Sequence, residues 1–213
     1  MKKALSVTDI CRKSYDTLPF EGAWLDAFGC PERVGTWLVW GGSGSGKSTF
    51  AVQLCRELSR FGKVLYDSLE EGTSLTFRNK IAQLQDVERG RLQVVSETME
   101  VLAQRLAKRR SADFVVIDSF QYTGLDYRSY LEFRKSHAGK LLIFISHADG
   151  RNPSGRAAKS VMYDAALKIW VEGYRAFSKG RFIGENGGVY TIWEEGAQII
   201  GGANNHSPVP IEF

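Results

Sequence analysis

The chain has 213 residues, of which 43% are hydrophobic and 24% are charged, an ordinary composition for a globular protein with a sizeable core. Its net charge of +4 permits nucleic-acid binding without indicating it. Three cysteines without C-x-x-C spacing argue against a zinc site and a disulfide framework. No apolar run is long enough to span a membrane, so we expect a cytoplasmic protein with no membrane partner.

The composition along the chain predicts one main domain. Residues 1–19 are interpreted as an N-terminal leader, residues 20–200 as an α/β domain, and residues 201–213 as a loose C-terminal tail. Small and large apolar side chains alternate over residues 20–29. This pattern fits either an ordered flap near the phosphate loop described next or ordinary core packing, and both interpretations stay open.

A glycine-rich segment matches the pattern G-x-x-x-x-G-K-[ST] between an apolar run and a helical stripe. Glycines let backbone N–H groups curl around phosphate oxygens, and the helix that follows adds its positive N-terminal end. Lys47 is expected to reach the β- and γ-phosphates of a nucleoside triphosphate, and the Ser48 hydroxyl to bind Mg²⁺. The predicted nucleotide-binding residues are Gly41, Gly42, Ser43, Gly44, Ser45, Gly46, Lys47, Ser48 and Thr49.

After this loop the apolar periodicity alternates between helix and strand. The pattern predicts a helix that carries Phe50, Leu54 and Leu58 on one face. It then predicts strands over residues 63–69, 91–95, 114–118 and 140–147, helices over 73–84, 97–110 and 127–138, a polar loop over 148–160, and antiparallel strands over 167–171, 174–182 and 189–193. This order predicts a three-layer α/β fold with a mainly parallel central sheet and C-terminal antiparallel hairpin strands.

Polar side chains stand where the predicted parallel strands end, which is the edge at which such sheets bind ligands. Asp118 is expected to orient Mg²⁺ through its waters. Because Ser119 leaves the position after Asp118 without an acid, Glu70 is predicted to polarise the attacking water, with Glu71 as the alternative base. His147 is expected either to sense the γ-phosphate or to be structural.

Basic residues occur in two further places. Lys179 and Arg181 lie on a late strand, where they are either solvated or act on the phosphates of a neighbouring subunit. Arg151, Arg156 and Lys159 occur within residues 148–160, which form either a DNA-gripping loop or an unremarkable surface loop.

Together these motifs resemble the RecA-like ATPases, in the branch of DnaB-type helicases, RadA/Sms proteins and KaiC. Ser68-Leu69-Glu70 resembles the helicase S-L-E, whose glutamate is the catalytic base, and Glu70-Glu71 is similar to the paired glutamates of KaiC. Ser146-His147 resembles the end of a strand in RadA/Sms proteins, where a histidine occupies the sensor position. Lys179-Gly180-Arg181 resembles the K-x-R finger, which acts on the next subunit's ATP.

The chain matches only the core of these proteins, without their additional domains, and so resembles the stand-alone cores of phages and mobile elements. The resemblance implies Mg²⁺-dependent ATP hydrolysis in a ring or filament of identical subunits. We expect coupling to DNA in replication, recombination or repair. The alternative is an ATP-dependent switch or loader that acts on a protein partner without a direct DNA motor activity.

Overall fold

The computed structural model describes residues 4–203 apart from 83, 85, 86 and 89; residues 204–213 of the predicted tail lie outside this range. The strands are β1 (Gly35–Gly41), β2 (Val64–Ser68), β3 (Leu92–Val95), β4 (Phe114–Asp118), β5 (Leu141–Asp149), β6 (Asn152–Pro153), β7 (Leu167–Glu172), β8 (Arg175–Gly180) and β9 (Gly188–Thr191). The helices are α1 (Val7–Cys11), α2 (Gly22–Phe28), α3 (Lys47–Ser59), α4 (Leu75–Ala82), α5 (Met99–Leu106), α6 (Tyr127–Ser136), α7 (Arg156–Asp164) and α8 (Glu194–Ala203). A 3₁₀ turn spans Phe120–Tyr122.

The central sheet has the strand order β3-β2-β4-β5-β1-β7-β8-β9, and β6 pairs with β5. In this spatial order, the six strands from β3 to β7 pair in parallel. The pairings of β7 with β8, of β8 with β9 and of β5 with β6 are antiparallel. The predicted mainly parallel sheet with antiparallel C-terminal strands is therefore confirmed. Because β1, β2, β4 and β5 run the same way, the residues after them meet at one edge of the sheet.

Both faces of the sheet are covered, which makes three layers. One buried cluster joins strand residues such as Trp37 and Val116 to Phe50 and Leu54 of α3. The other cluster lies on the opposite face and includes Leu102, Tyr130 and Val161 of α5, α6 and α7. Burial of each large apolar side chain stabilises the fold by roughly 1.5–3 kcal/mol, so the covered strands hold the sheet edge in a fixed geometry.

The segment before β1 is part of the core. Leu18 and Phe20 are buried, and the Phe20 ring lies 6.5 Å from the Trp37 ring between centroids. Helix α2 packs against β8 and β9. Of the two interpretations of residues 20–29, ordinary core packing is the correct one.

The structure differs from the predicted elements in three places. Helix α5 ends at Leu106 and not at residue 110, because the Ser111 hydroxyl donates to the Leu106 carbonyl (2.7 Å) and Arg110 adopts a left-handed φ of 65°. The predicted loop over 148–160 contains the end of β5, β6 and the first turns of α7. Its polar composition concealed the helix, whose buried residues Ala158, Val161 and Met162 recur at helical spacing. Helix α8 extends to Ala203, into the predicted tail.

Candidate nucleotide-binding site

The phosphate loop connects the carboxyl end of β1 to the first turn of α3. Gly44 and Gly46 have positive φ angles of 72° and 103°, which glycine adopts without strain. A Cβ atom on Gly41 would lie 2.2 Å from the Val171 carbonyl oxygen, so the loop also packs too closely against β7 for a side chain there. A Cβ on Gly42 or Gly44 would meet no atom within 4 Å. The loop is therefore tight on the side of the sheet and open on the other side.

Lys47, the first residue of α3, lies across the loop. Its Nζ donates a hydrogen bond to the Gly42 carbonyl oxygen at 2.7 Å. Burial lowers the pKa of Lys47, while the negative charges of Asp118 and Glu70 act in the opposite direction. The ammonium group thus lies among the loop and the two carboxylates, where an anionic ligand would meet it.

A cleft of about 530 Å³ lies in front of the loop. Its lining includes the predicted site residues Gly41, Ser43, Gly44, Gly46, Lys47, Ser48, Thr49, Glu70, Glu71, Asp118 and His147. Lys80, Ala148 and Tyr174 also line the cleft, and sequence reasoning assigned no role to Lys80 or Tyr174. Gly42 and Ser45 belong to the loop without lining the cleft, and the Ser45 carbonyl accepts a hydrogen bond from the Tyr174 N–H at 3.2 Å.

Asp118 is held by a residue that sequence reasoning missed. The Tyr66 hydroxyl donates to Asp118 Oδ2 at 2.5 Å. Burial raises the pKa of Asp118, and the Tyr66 hydrogen bond and the Lys47 charge counteract this effect only in part. A half-buried carboxylate beside the phosphate loop gains from a cation, because a positive charge offsets the desolvation of the carboxylate.

Glu70 and His147 are brought together from different strands. Glu70 Oε2 lies 2.8 Å from His147 Nε2, and the Ser119 hydroxyl lies 3.4 Å from the same nitrogen. Burial raises the pKa of Glu70, but the hydrogen bonds from His147 and Ser119 and the charges of His147 and Lys47 outweigh it, so the pKa is lowered. Glu70 is therefore ionised at neutral pH, as a general base must be.

Glu71 faces a different partner. Lys80 Nζ on α4 lies 2.9 Å and 3.2 Å from the two Glu71 carboxylate oxygens. The two adjacent acids therefore differ in environment: Glu71 is neutralised by a lysine, and Glu70 contacts a histidine on β5.

Gln121 connects the site to the segment that follows β5. Its amide nitrogen donates to the Ser146 hydroxyl (2.8 Å) and to the Ser154 carbonyl (3.0 Å), and its amide oxygen accepts from the His147 N–H (3.2 Å). Sequence reasoning missed this residue, because a glutamine after a strand carries no distinctive signal.

Lys179 and Arg181 lie away from this cleft. Gly180 pairs with Leu167 at the start of β7, whereas Gly41 pairs with Val171 near the end of β7. The two basic residues are thus at the amino end of the parallel strands. There they lie close to Lys168, whose pKa is lowered by burial and by the charges of Arg181 and Lys179.

The donor set in the cleft fits Mg²⁺. Within the described part of the chain no group of three or more His, Cys, Asp and Glu side chains forms a closed metal cage. Ser48 and Asp118, which line the cleft, offer two hard oxygen donors. Mg²⁺ that binds together with ATP takes only one or two ligands from the protein and the others from waters and phosphate oxygens.

Comparisons with known proteins agree with this geometry. A family model described as AAA domain matches residues 33–147, more than half of the chain. The chain therefore belongs to the AAA domain family, whose P-loop fold indicates nucleotide binding and hydrolysis. Among curated proteins no sequence match was found.

Two solved structures share the fold. The flagellar accessory protein FlaH from Methanocaldococcus jannaschii is 15% identical, with a TM-score of 0.59 over 83% of this chain and 92% of that one. The KaiC-like protein PH0186 from Pyrococcus horikoshii is 19% identical, with a TM-score of 0.59 over 83% of this chain and 98% of the other. The chain has the fold of a RecA-like P-loop ATPase. No helix in the described residues is long and apolar enough to cross a bilayer.

Proposed function

We propose that the protein is a Mg²⁺-dependent ATP hydrolase. The observation that carries this proposal is the convergence of the phosphate loop, the Asp118 carboxylate and the ionised Glu70 carboxylate on one cleft. A pocket that only bound ATP would need the loop and Asp118. Glu70 is a third group at the same sheet edge, and its ionised carboxylate is what hydrolysis requires in addition to binding.

Each residue has a distinct role in the proposed reaction. Loop N–H groups and Lys47 bind the phosphates, and Ser48 and Asp118 hold the metal. When bound, Mg²⁺ would supply positive charge that offsets the charge of the phosphates. Glu70 accepts a proton from the attacking water, and His147 orients the Glu70 carboxylate through their hydrogen bond.

We also propose that the protein assembles into a ring or filament and acts on DNA in the cytoplasm. Lys179 and Arg181 are candidates to complete a neighbouring subunit's site, because they lie at the opposite end of the sheet from their own cleft. Arg151, Arg156 and Lys159, all exposed, are the candidate DNA contacts. They follow His147 closely in the chain, and Gln121 joins the same segment to the His147 backbone. Through this contact the nucleotide bound in the cleft would change the affinity of the segment for DNA.

The alternative function, an ATP-dependent switch acting on a protein partner, is favoured by one observation. Glu70 is already engaged by His147 at 2.8 Å, and an acid held in this way activates water slowly until the pair opens. In that case turnover depends on a partner that separates the two side chains.

The ATPase rate with and without single-stranded DNA, at two salt concentrations, tests these proposals. Lys47→Ala is expected to abolish turnover. Stimulation by DNA that decreases with salt supports the DNA-coupled function, and a slow rate that DNA does not change supports the switch. Wild-type turnover by Lys47→Ala would contradict both.

A further inference from the structure

A second, basic groove lies at the other end of the sheet. It has a volume of about 240 Å³ and lies beside the starts of β2, β3 and β4, away from the nucleotide cleft. Among the described residues, its lining includes five cationic side chains and no acidic one. The cationic residues are Lys63, Arg105, Lys108, Arg109 and Arg110.

Among the described residues, at least three of these five cations have no ion-pair partner. Arg105 forms an ion pair with Glu97, and the Lys108 charge also acts on Glu97. In the described part of the chain, no ion pair involves Lys63, Arg109 or Arg110. Asp113 accepts a hydrogen bond from the Lys63 backbone N–H at 2.8 Å, and the Lys63 Nζ donates to the Arg110 carbonyl at 3.4 Å. The groove therefore offers positive charge to an external anion.

The turn that presents these cations is fixed in position. The Ser111 N–H donates to the Lys108 carbonyl at 3.2 Å, and the Ser111 hydroxyl donates to Leu106 and accepts from Lys140 Nζ at 2.8 Å. Arg110 adopts a φ of 65°, where glycine is the favoured residue. The fixed turn therefore holds three adjacent cations, Lys108, Arg109 and Arg110, in the lining of the groove.

The chemistry of the groove favours a nucleic-acid backbone over a lipid surface. Its larger apolar lining residues Val64 and Leu65 are 1% and 2% exposed, and no aromatic side chain lines the groove among the described residues. The described lining therefore offers no exposed large apolar side chain to insert into a lipid bilayer and no aromatic platform for base stacking. The exposed side chains of Lys63, Lys108, Arg109 and Arg110 fit phosphodiester groups, whose recognition does not depend on base sequence.

We propose that this groove binds the phosphate backbone of nucleic acid. The surface is separate from the segment after β5 and does not require ATP. It would keep a nucleic-acid strand bound to the protein while ATP is bound, hydrolysed and released in the nucleotide cleft. This inference stands independently of the proposed hydrolysis, since binding is measured without nucleotide.

Fluorescence anisotropy with a labelled single-stranded oligonucleotide and its duplex, without ATP, tests the proposal. The groove variant is Lys108→Gln, Arg109→Gln and Arg110→Gly, in which glycine retains the left-handed turn. A matched variant, Arg12→Gln, Lys13→Gln and Lys135→Gln, removes the same charge from exposed positions elsewhere. We expect at least a tenfold loss of affinity in the groove variant at low salt and less than a twofold loss in the matched variant.

The salt dependence gives a second readout. The slope of log affinity against log salt should decrease by about 2 to 3 in the groove variant, since each lost phosphate contact removes roughly 0.7–0.9. The single charge reversal Arg109→Glu, which leaves the turn intact, should weaken binding in the same direction if the triple variant folds poorly.

Three results would overturn the proposal. The first is equal binding by the groove and matched variants. The second is a loss confined to a variant of the other basic segment, Arg151→Gln, Arg156→Gln and Lys159→Gln. The third is wild-type protein that binds anionic phosphatidylserine vesicles but neither oligonucleotide.

Discussion

At the scale of single residues, the structure separates two adjacent acids that the sequence could not distinguish. Glu70 and Glu71 both line the nucleotide cleft. Lys80 neutralises Glu71, whereas Glu70 lies beside His147 and near the Lys47 charge. Lys80 Nζ contacts both carboxylate oxygens of Glu71, whereas His147 contacts one oxygen of Glu70. Glu70 is therefore the better placed of the two acids to accept a proton from water.

The first prediction is that Glu70→Gln reduces the ATPase rate by at least a hundredfold and leaves binding of a fluorescent ATP analogue intact, because a general base contributes on the order of 10²–10⁴ in rate. The matched variant, Glu71→Gln, should lose less than tenfold. Steady-state turnover of the two purified variants measures the difference. Equal losses in both variants would remove the distinction between the two acids.

Asp67 on β2 gives a second prediction at this scale. Its side chain is buried, and Oδ1 accepts the Glu97 N–H at 3.0 Å. Burial raises the pKa of Asp67 from 3.8 to about 6. The folded protein therefore binds the proton more tightly than the unfolded chain. The stabilisation from this group is complete below pH 3.8 and is lost as the pH rises through about 6.

Asp67→Asn removes this titration and keeps the carbonyl that accepts the Glu97 N–H. Relative to the variant, the wild type should lose up to about 3 kcal/mol of unfolding free energy between pH 4 and pH 7. Urea denaturation at intervals across that range measures the difference. Parallel pH profiles for the two proteins would show that Asp67 does not titrate in this window.

At the scale of elements, the ends of β4 and β5 are joined by the 3₁₀ turn between β4 and α6. Gln121 on that turn contacts Ser146, His147 and Ser154. It therefore restrains the segment after β5 from a neighbouring strand. Sequence patterns describe each strand separately, so this cross-link is a product of strand order.

The third prediction concerns this link. Gln121→Leu should lower the unfolding free energy by about 1 kcal/mol, and it should speed amide hydrogen exchange over residues 148–155 most of all. Gln104→Leu, at an exposed position on α5, is the matched control and should leave that exchange unchanged. Exchange followed by mass spectrometry distinguishes the two. Unchanged exchange in Gln121→Leu would mean that other contacts hold the segment, such as the Trp40 indole N–H on the Arg151 carbonyl at 3.0 Å.

At the scale of the whole molecule, the parallel sheet has two chemically distinct ends. The carboxyl end carries the nucleotide cleft, and the amino end carries Lys168, Lys179 and Arg181 on one side and the basic groove on the other. Residues at the amino end cannot act on the ATP of their own subunit. If Lys179 and Arg181 act in catalysis, they act on a second copy of the chain.

The fourth prediction follows from that geometry. Arg181→Ala and Lys47→Ala should each be inactive alone, because one lacks the finger and the other lacks the phosphate-binding amine. An equal mixture should recover up to about a quarter of the wild-type rate, since random assembly pairs an intact loop with an intact finger at that fraction of interfaces. ATPase assays of the mixture measure the recovery. No recovery under conditions in which light scattering shows assembly would exclude the finger in trans.

The sequence by itself determined the phosphate loop, the strand–helix alternation and the acids at the strand ends. Each of these features follows from residues that are close together in the chain. The loop follows from its glycines, the alternation from the spacing of apolar residues, and the acids from their position directly after a buried strand. The tertiary structure alone decided that Tyr66 holds Asp118, that Lys80 takes Glu71 and that Lys179 and Arg181 lie away from their own cleft. Glu70 and His147 are 77 residues apart. Their contact depends on strand order and packing, which no local pattern encodes.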